Sequence, residues 1–220
     1  MVAAEHLKSE GWALVSTSVT PEVIAELRET IFTKGIAGTR GLLDEPLVRN
    51  VAMALKAELI AAGLLRRSAV AIQAIAFDKT ADTNWKVAWH QDVMFPFAKA
   101  VTSEGYAIPT RKGGVDFARP PLSVLEDMLA VRLHCDDCDE TNGPLRVVPG
   151  SHRSGLIPSD ECTARATNGV PCLAQEGEAL LMKPLLLHAS SQAAEPKHRR
   201  VLHVIYHSGA EMEEAWHRAI

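Results

Sequence analysis

The chain has 220 residues, enough for one domain with a sizeable core, and its 47% hydrophobic and 23% charged content is that of a folded globular protein. A formal net charge of −4 with no Lys/Arg block leaves nucleic acid without a basic face to bind. No apolar run reaches membrane-spanning length and Met1–Glu10 lacks the basic-then-apolar order of a secretory leader, so a cytoplasmic location without membrane attachment is expected.

The elements read as follows. Gly11-Trp12-Ala13-Leu14-Val15 is a short strand. Thr20-Pro21 starts a helix, with Thr as N-cap, Pro at the first helical position, and Val19 placed to pack on Ile24. Ile24, Leu27, Ile31 and Phe32 share its apolar face. A second helix starts near Pro46, buries Val48, Val51, Leu55 and Leu59, and ends at Gly63. Ala69–Phe77 is a strand with Gln73, Ile75, Phe77 and Lys79 on one side, and His90–Phe97 follows it. Residues 98–121, rich in Gly, Pro and charge, read as a long loop that orders as a lid over substrate. Further strands are Met128–Cys135, the stretch from Gly143 to His152, the apolar run Glu178–Leu187 ending at His188, and Arg199–Tyr206. Helices first and short strands after, with no βαβ rhythm, imply an antiparallel sandwich or jelly roll with helices on one side. The flank is 1–67 and the β core 68–210, within one domain.

Cys135, Cys138, Cys162 and Cys172 are expected as free thiols, since nothing marks the chain for secretion. Cys135-Asp136-Asp137-Cys138 has the local spacing of a zinc site, but no second such pair follows.

The chemistry centres on His90-Gln91-Asp92. A His and a carboxylate two residues apart in extended chain point the same way and can occupy adjacent positions on one metal ion. A bare His-x-Asp is short and common, and alone reads as a surface hydrogen-bonded pair. His188 is the best candidate for a third ligand, and two His with one carboxylate leave one face of Fe(II) open. Arg199 follows eleven residues later. A buried Arg needs an anion, and its planar fork suits a carboxylate. Arg200 points the other way, to a surface or salt-bridge role. Trp85, Trp89, Met94, Phe95 and Phe97 are candidates for an apolar pocket or for the core.

Three pieces, "AWHQDVMFPF" from Ala88, "NGPLRVVPGSHRSG" from Asn142 and "LLLHASSQAAEPKHRRVLHVIY" from Leu185, in that order, resemble the phytanoyl-CoA dioxygenase family of Fe(II)/2-oxoglutarate oxygenases. The resemblance implies a mostly β fold with flanking helices, a double-stranded β-helix (cupin-like jelly roll). It implies His90, Asp92 and His188 as the iron triad, Arg199 as the 2-oxoglutarate anchor, and Ser190 as an assisting hydroxyl. It places Gln91 between the ligands, sets Gln73 and Lys79 on a strand that can face the pocket, puts Arg132 where many members carry a co-substrate neighbour that is often aromatic, and so makes Gln91, Gln73 and Arg132 further co-substrate-binding candidates. The implied activity uses O2 and 2-oxoglutarate to hydroxylate a C–H of a small organic metabolite, giving succinate and CO2. With Asp92 in place, halogenation is not expected. Other readings are a cupin-like metalloenzyme without 2-oxoglutarate, a non-catalytic metal-binding jelly roll, and a zinc-stabilised module. Exposed sheet edges would favour a homo-oligomer.

Overall fold

The computed structural model describes residues 2–220. In chain order the elements are α1 (Val2–Glu10), β1 (Trp12–Ser16), α2 (Pro21–Thr30), β2 (Gly38–Arg40), α3 (Pro46–Ala61), β3 (Val70–Lys79), β4 (Val87–His90), β5 (Phe95–Phe97), β6 (Ala107–Lys112) and β7 (Val115–Arg119). They continue with α4 (Leu122–Glu126), β8 (Met128–His134), β9 (Leu145–Val147), α5 (Cys162–Arg165), β10 (Val170–Cys172), β11 (Glu178–Met182), β12 (His188–Ser190) and β13 (Arg199–His207). Six strands form one sheet in the order β1-β11-β8-β13-β3-β2, and four form the facing sheet, β10-β9-β12-β4. Every pairing is antiparallel, as in a jelly roll. No helix is long and apolar enough to cross a membrane, among the described residues.

Strand alternation separates two faces of the large sheet. Leu129, Val131 and Leu133 of β8 and Leu202, Val204 and Tyr206 of β13 face outward with Ala74 and Ala76 of β3. They bury Ile24 and Leu27 of α2 and Val48, Val51, Leu55 and Leu59 of α3. Burying each Leu or Ile of that stripe contributes on the order of 2–3 kcal/mol. The helix ends follow their sequence signals. The Thr20 hydroxyl accepts from the Val23 amide at 3.5 Å, Pro21 and Pro46 open their helices, and Gly63 takes a left-handed φ of +71° just past α3. The opposite faces, with Ala130, Arg132 and His134 on β8 and Arg199, His203 and Ile205 on β13, point between the two sheets.

The structure departs from the sequence reading at several elements. The flank contributes β1 and β2 as edge strands of the large sheet, and α1 precedes β1 where no element was expected. Residues 98–121 are not an open loop, because β6 and β7 form a hairpin that pairs with β5 in a third sheet. Gly113-Gly114 turns it, with φ of +56° and +82°, the two positive angles that a tight hairpin turn of the right twist needs. His188 does not end the strand of Glu178–Leu187 but begins β12. Pro184, which has no N–H for a ladder, lies in the turn between β11 and β12. The strand read from Gly143 to His152 is confined to β9, Leu145–Val147, and α5 and β10 form where no element was expected.

Candidate metal and anion site

β4 and β12 are neighbours in the four-stranded sheet, and their register sets His188 directly opposite His90. Asp92 follows just past the end of β4, where its backbone N–H donates to the Pro184 carbonyl at 2.9 Å. That bond fixes the loop and turns the carboxylate between the two imidazoles. Asp92 stands 3.6 Å from His90 Nε2 through Oδ1 and 3.6 Å from His188 Nε2 through Oδ2. These are too long for hydrogen bonds. One donor atom from each residue lies within 4.8 Å of the others. Two ligands at right angles on one ion stand about 3 Å apart, given metal–ligand distances of about 2.1 Å.

Each imidazole is set for coordination from behind. His90 Nδ1 lies 2.8 Å from the Ala88 carbonyl and His188 Nδ1 lies 2.9 Å from the Leu186 carbonyl. A carbonyl only accepts, so Nδ1 carries the proton and Nε2 presents its lone pair to the metal position. Burial pushes the His188 imidazole down to about 4, against the pull of Asp92, so it is a neutral ligand at pH 7. Burial pushes the Asp92 carboxyl up, but His188, His90 and His203 outweigh it and hold the group well below the usual carboxylate range. Burial pushes the His90 imidazole down, but Asp92 outweighs it and raises the group above its ordinary value, so a divalent ion, which binds neutral imidazole and ionised carboxylate, displaces a proton there. The donor set therefore fits Fe(II).

The site opens into a cavity of about 750 Å³ between the sheets. Its walls include Ile72, Phe77, Trp85, Met94, Phe95 and Phe117, with Gln73, Arg132, Ser190, Arg199 and His203 among them. Arg199 is 3% exposed. It donates to the Gly143 carbonyl, and its Nε has no partner. Gly143 has φ of +72°, and a Cβ there would lie 2.8 Å from the Ser191 carbonyl oxygen, so only glycine allows this loop to present its carbonyl to Arg199. Lys79, opposite Arg199 in the β3–β13 register, donates to Ser190 Oγ at 2.8 Å and to the Ser191 carbonyl. The Ser190 hydroxyl accepts from Lys79 and donates only through long contacts, to the Gly143 carbonyl at 3.5 Å and the Ser191 carbonyl at 3.4 Å. Arg132, Arg199 and Lys79 form no ion pair with any carboxylate among the described residues. Burying a charge costs several kcal/mol unless it is compensated. Two of these cations line the cavity and the third lies one layer behind it, an arrangement that suits an anion.

Of the residues singled out from the sequence, His90, Asp92, His188, Ser190, Arg199, Arg132 and Gln73 all line this cavity. Gln91 does not. Its amide donates to the Gly155 and Leu185 carbonyls and accepts from the Ile157 amide at 2.8 Å, so it ties loops together behind the site. Lys79 sits one layer back, under Ser190. Trp85, Met94 and Phe95 face the cavity, Trp89 packs beside Ile157 and Leu187, and Phe97 stacks on Trp216. Arg200 makes a bidentate pair with Asp136. All four cysteines are buried free thiols. Sequence reasoning gave no role to His203, although it shares the face of Arg199 on β13, and it missed Val115 and Phe117 because the hairpin was read as loop.

Known proteins show the same frame. No curated protein matches the sequence. Among solved structures, AviO1 from Streptomyces viridochromogenes Tue57 is similar with a TM-score of 0.67 at 19% identity, over 97% of this chain and 96% of that one. EctD from S. alaskensis, solved with 2-oxoglutarate and 5-hydroxyectoine, has a TM-score of 0.66 at 19% identity, over 93% of this chain and 74% of that one. SnoN, titled a non-heme alpha ketoglutarate dependent epimerase from nogalamycin biosynthesis, has a TM-score of 0.64 at 15% identity, over 93% of this chain and 80% of that one. At such identities these likenesses establish the jelly-roll fold. The family model described as phytanoyl-CoA dioxygenase (PhyH) matches residues 18–201, from just before α2 to the strand that carries Arg199. The chain therefore belongs to the phytanoyl-CoA dioxygenase (PhyH) family, whose enzymes depend on Fe(II) and 2-oxoglutarate.

Proposed function

We propose that this protein hydroxylates an unactivated C–H bond of a small organic metabolite, with His90, Asp92 and His188 holding Fe(II) and Arg199 with Ser190 holding the far carboxylate of 2-oxoglutarate. The observation that carries the reading is the cluster of two imidazoles and one carboxylate sharing one cavity with buried cations that no carboxylate among the described residues neutralises. A dicarboxylate reaching from Arg199 to the metal position supplies the missing charge. The iron supplies O2 activation coupled to oxidative decarboxylation of the co-substrate, chemistry that side chains lack. The chain's own residues bind and orient. Ser190 and Arg199 fix one end of the co-substrate, while the Ala88 and Leu186 carbonyls hold the two imidazoles in register. Ile72, Phe77, Met94, Phe95 and Phe117 keep the surroundings apolar, which limits access of water to the reacting centre. The cavity lies within the size range of small-molecule sites and has room for a metabolite beside a five-carbon diacid. Arg40 and Lys112 stand at its lining among the exposed residues, so a metabolite with an acidic end fits the approach better than a cationic one.

The test is an anaerobic titration of the metal-free protein with Fe(II) and then 2-oxoglutarate. The chelate's weak visible charge-transfer band should appear, and a metabolite screen by succinate release should then find the substrate. Iron binding with no band at saturating 2-oxoglutarate would leave the jelly roll standing and move the cupin-like alternative to the front.

The same titration has a pH signature. Burial, with Arg199 adding to it, pushes the Lys79 ammonium down to about 8. An anion bound beside Ser190 favours the charged form, so binding takes up a proton. 2-Oxoglutarate affinity should fall several-fold as pH rises from 7 to 9.5. Fold stability should move the other way. Between pH 8 and the ordinary lysine value of 10.5 the unfolded chain holds a proton that the folded one lacks, so stability of the ligand-free protein rises with pH there. A flat affinity across that range would remove Lys79 from the anion subsite.

A further inference from the structure

Arg40 is a cation of the cavity that the co-substrate does not account for. It lies on β2, the edge strand of the large sheet, directly opposite Ile75 of β3. Paired residues share a face of a sheet, and Ile75 lines the cavity, so Arg40 points inward. Gly38, two residues earlier on that face, agrees: a Cβ there would come within 3.2 Å of the Phe77 ring, itself part of the cavity wall. Arg40 is nevertheless exposed, which puts it at the mouth of the cavity and not at its floor. Lys112 reaches the same mouth from another wall. It ends β6 just before the Gly113-Gly114 turn, and its register partner is Val115 of β7. Val115 and Phe117 line the cavity, and Lys112 shares their face. Arg111 alternates to the other face, where it stands 4.0 Å from Asp116.

Neither Arg40 nor Lys112 pairs with a carboxylate among the described residues. Asp44, the acid on the cavity wall close to Arg40 in sequence, is held through both oxygens by Arg218, at 2.9 and 3.0 Å. A chain of formal net charge −4 has no general excess of cations to explain two unpaired ones at one opening. The sheet itself separates them from the co-substrate anchor. Lys79 lies opposite Arg199, and Ile75 lies opposite Arg40 across the other edge of β3, four residues away. That offset is about 13 Å along the strand, with about 10 Å more across two strand spacings. The carboxylate bound at Arg199 therefore leaves Arg40 and Lys112 to a different anion. Charges on edge strands also keep those edges from pairing with another chain, but that role does not require both to converge on one cavity.

We propose that Arg40 and Lys112 together bind the anionic group of the primary substrate, a carboxylate or a phosphate, so that the metabolite oxidised is an amphipathic organic anion. Its charged end sits between β2 and the β6–β7 hairpin, and its apolar part runs inward past Phe77, Met94 and Phe117 to the metal position. The planar fork of Arg40 fixes the orientation of that end, while Lys112 adds charge from a flexible stem. The proposal rests on the oxygenase reading above and names the substrate class and the residues that select it.

The experiment follows hexanoate, hexyl phosphate and hexylamine by calorimetry, binding to protein loaded with Mn(II) and saturating 2-oxoglutarate. It uses the wild type, Arg40→Gln, Lys112→Gln and Arg111→Gln. The wild type should prefer one of the two anions to the amine by at least about tenfold, and the tighter anion names the group. Arg40→Gln and Lys112→Gln should each weaken that anion about three- to tenfold, a modest loss because solvent screens the mouth. Wild-type affinity for it should fall as salt is raised. Arg111→Gln removes the same charge from the other face of the hairpin and should change it less than about twofold. Affinity for 2-oxoglutarate should stay within about twofold in all three variants. A wild type with no preference for the anions, absent binding included, would overturn the proposal. Unchanged anion affinity in Arg40→Gln would overturn it by leaving Arg40 as an edge guard, and an equal loss in Arg111→Gln would overturn it by reducing the effect to overall charge. Failure of the wild type to bind 2-oxoglutarate while it binds Mn(II) would instead sink the oxygenase reading itself.

Discussion

His188→Ala is expected to lower Fe(II) affinity by at least about 100-fold, since loss of a residue that only supports a metal ligand already costs 10–100-fold and His188 is proposed as a ligand itself. The fold should persist. His188 is one residue of a β12 that pairs on both sides through its backbone, with β4 and with β9, and those bonds do not need the imidazole. Deleting the buried ring leaves a gap, but the gap adjoins a cavity that is already open. His90→Ala should have the same effect on iron with less effect on stability, because its side chain is 38% exposed where that of His188 is 4% exposed. Metal content after anaerobic reconstitution, read beside a thermal melt, separates the two effects. A His188→Ala protein that binds iron as the wild type does would refute the triad.

That site was legible in the sequence to the extent that its chemistry is local. His-x-Asp in extended chain brings two donors to one side, and that alternation needs no knowledge of the fold. The third ligand was harder. His188 meets His90 because β12 pairs with β4, and no local pattern states that pairing. Here the resemblance supplied what periodicity could not. Gln91 shows the limit of carrying a motif position over. It stands between His90 and Asp92 in sequence, yet alternation sends it to the opposite side, where three backbone groups engage its amide. The β6–β7 hairpin was lost for a different reason. Gly, Pro and charge in residues 98–121 read as loop composition, and that outweighed Gly113-Gly114, the one turn signal that was specific. Of the helices, α2 and α3 were readable because Thr20, Pro21, Pro46 and Gly63 act within one turn of chain, while α1, α4 and α5 were not read.

Arg199→Met separates function from stability most sharply. In the ligand-free protein Arg199 is a buried cation whose Nε has no partner and which pairs with no carboxylate among the described residues, held there by the Gly143 carbonyl. Replacing it with an apolar chain of similar length removes a charge that costs the fold several kcal/mol when uncompensated. The ligand-free variant should therefore melt no lower than the wild type, and a gain of about 1 kcal/mol would appear as roughly 2–4 °C for a chain of this size. Co-substrate binding should change in the opposite sense. Truncating one partner of a buried charge pair costs about 2–5 kcal/mol, so 2-oxoglutarate affinity should fall by a factor of about 30 or more. Iron affinity should stay within about twofold, because Arg199 is not among the clustered donors. In the anaerobic titration the charge-transfer band should appear only at much higher 2-oxoglutarate. A variant that is both less stable and unaltered in affinity would make Arg199 a structural residue, and Arg132 or Lys79 would be the next cation to test as the anchor. A stability gain together with an affinity loss is the signature of a residue kept for its ligand at a cost to the empty fold.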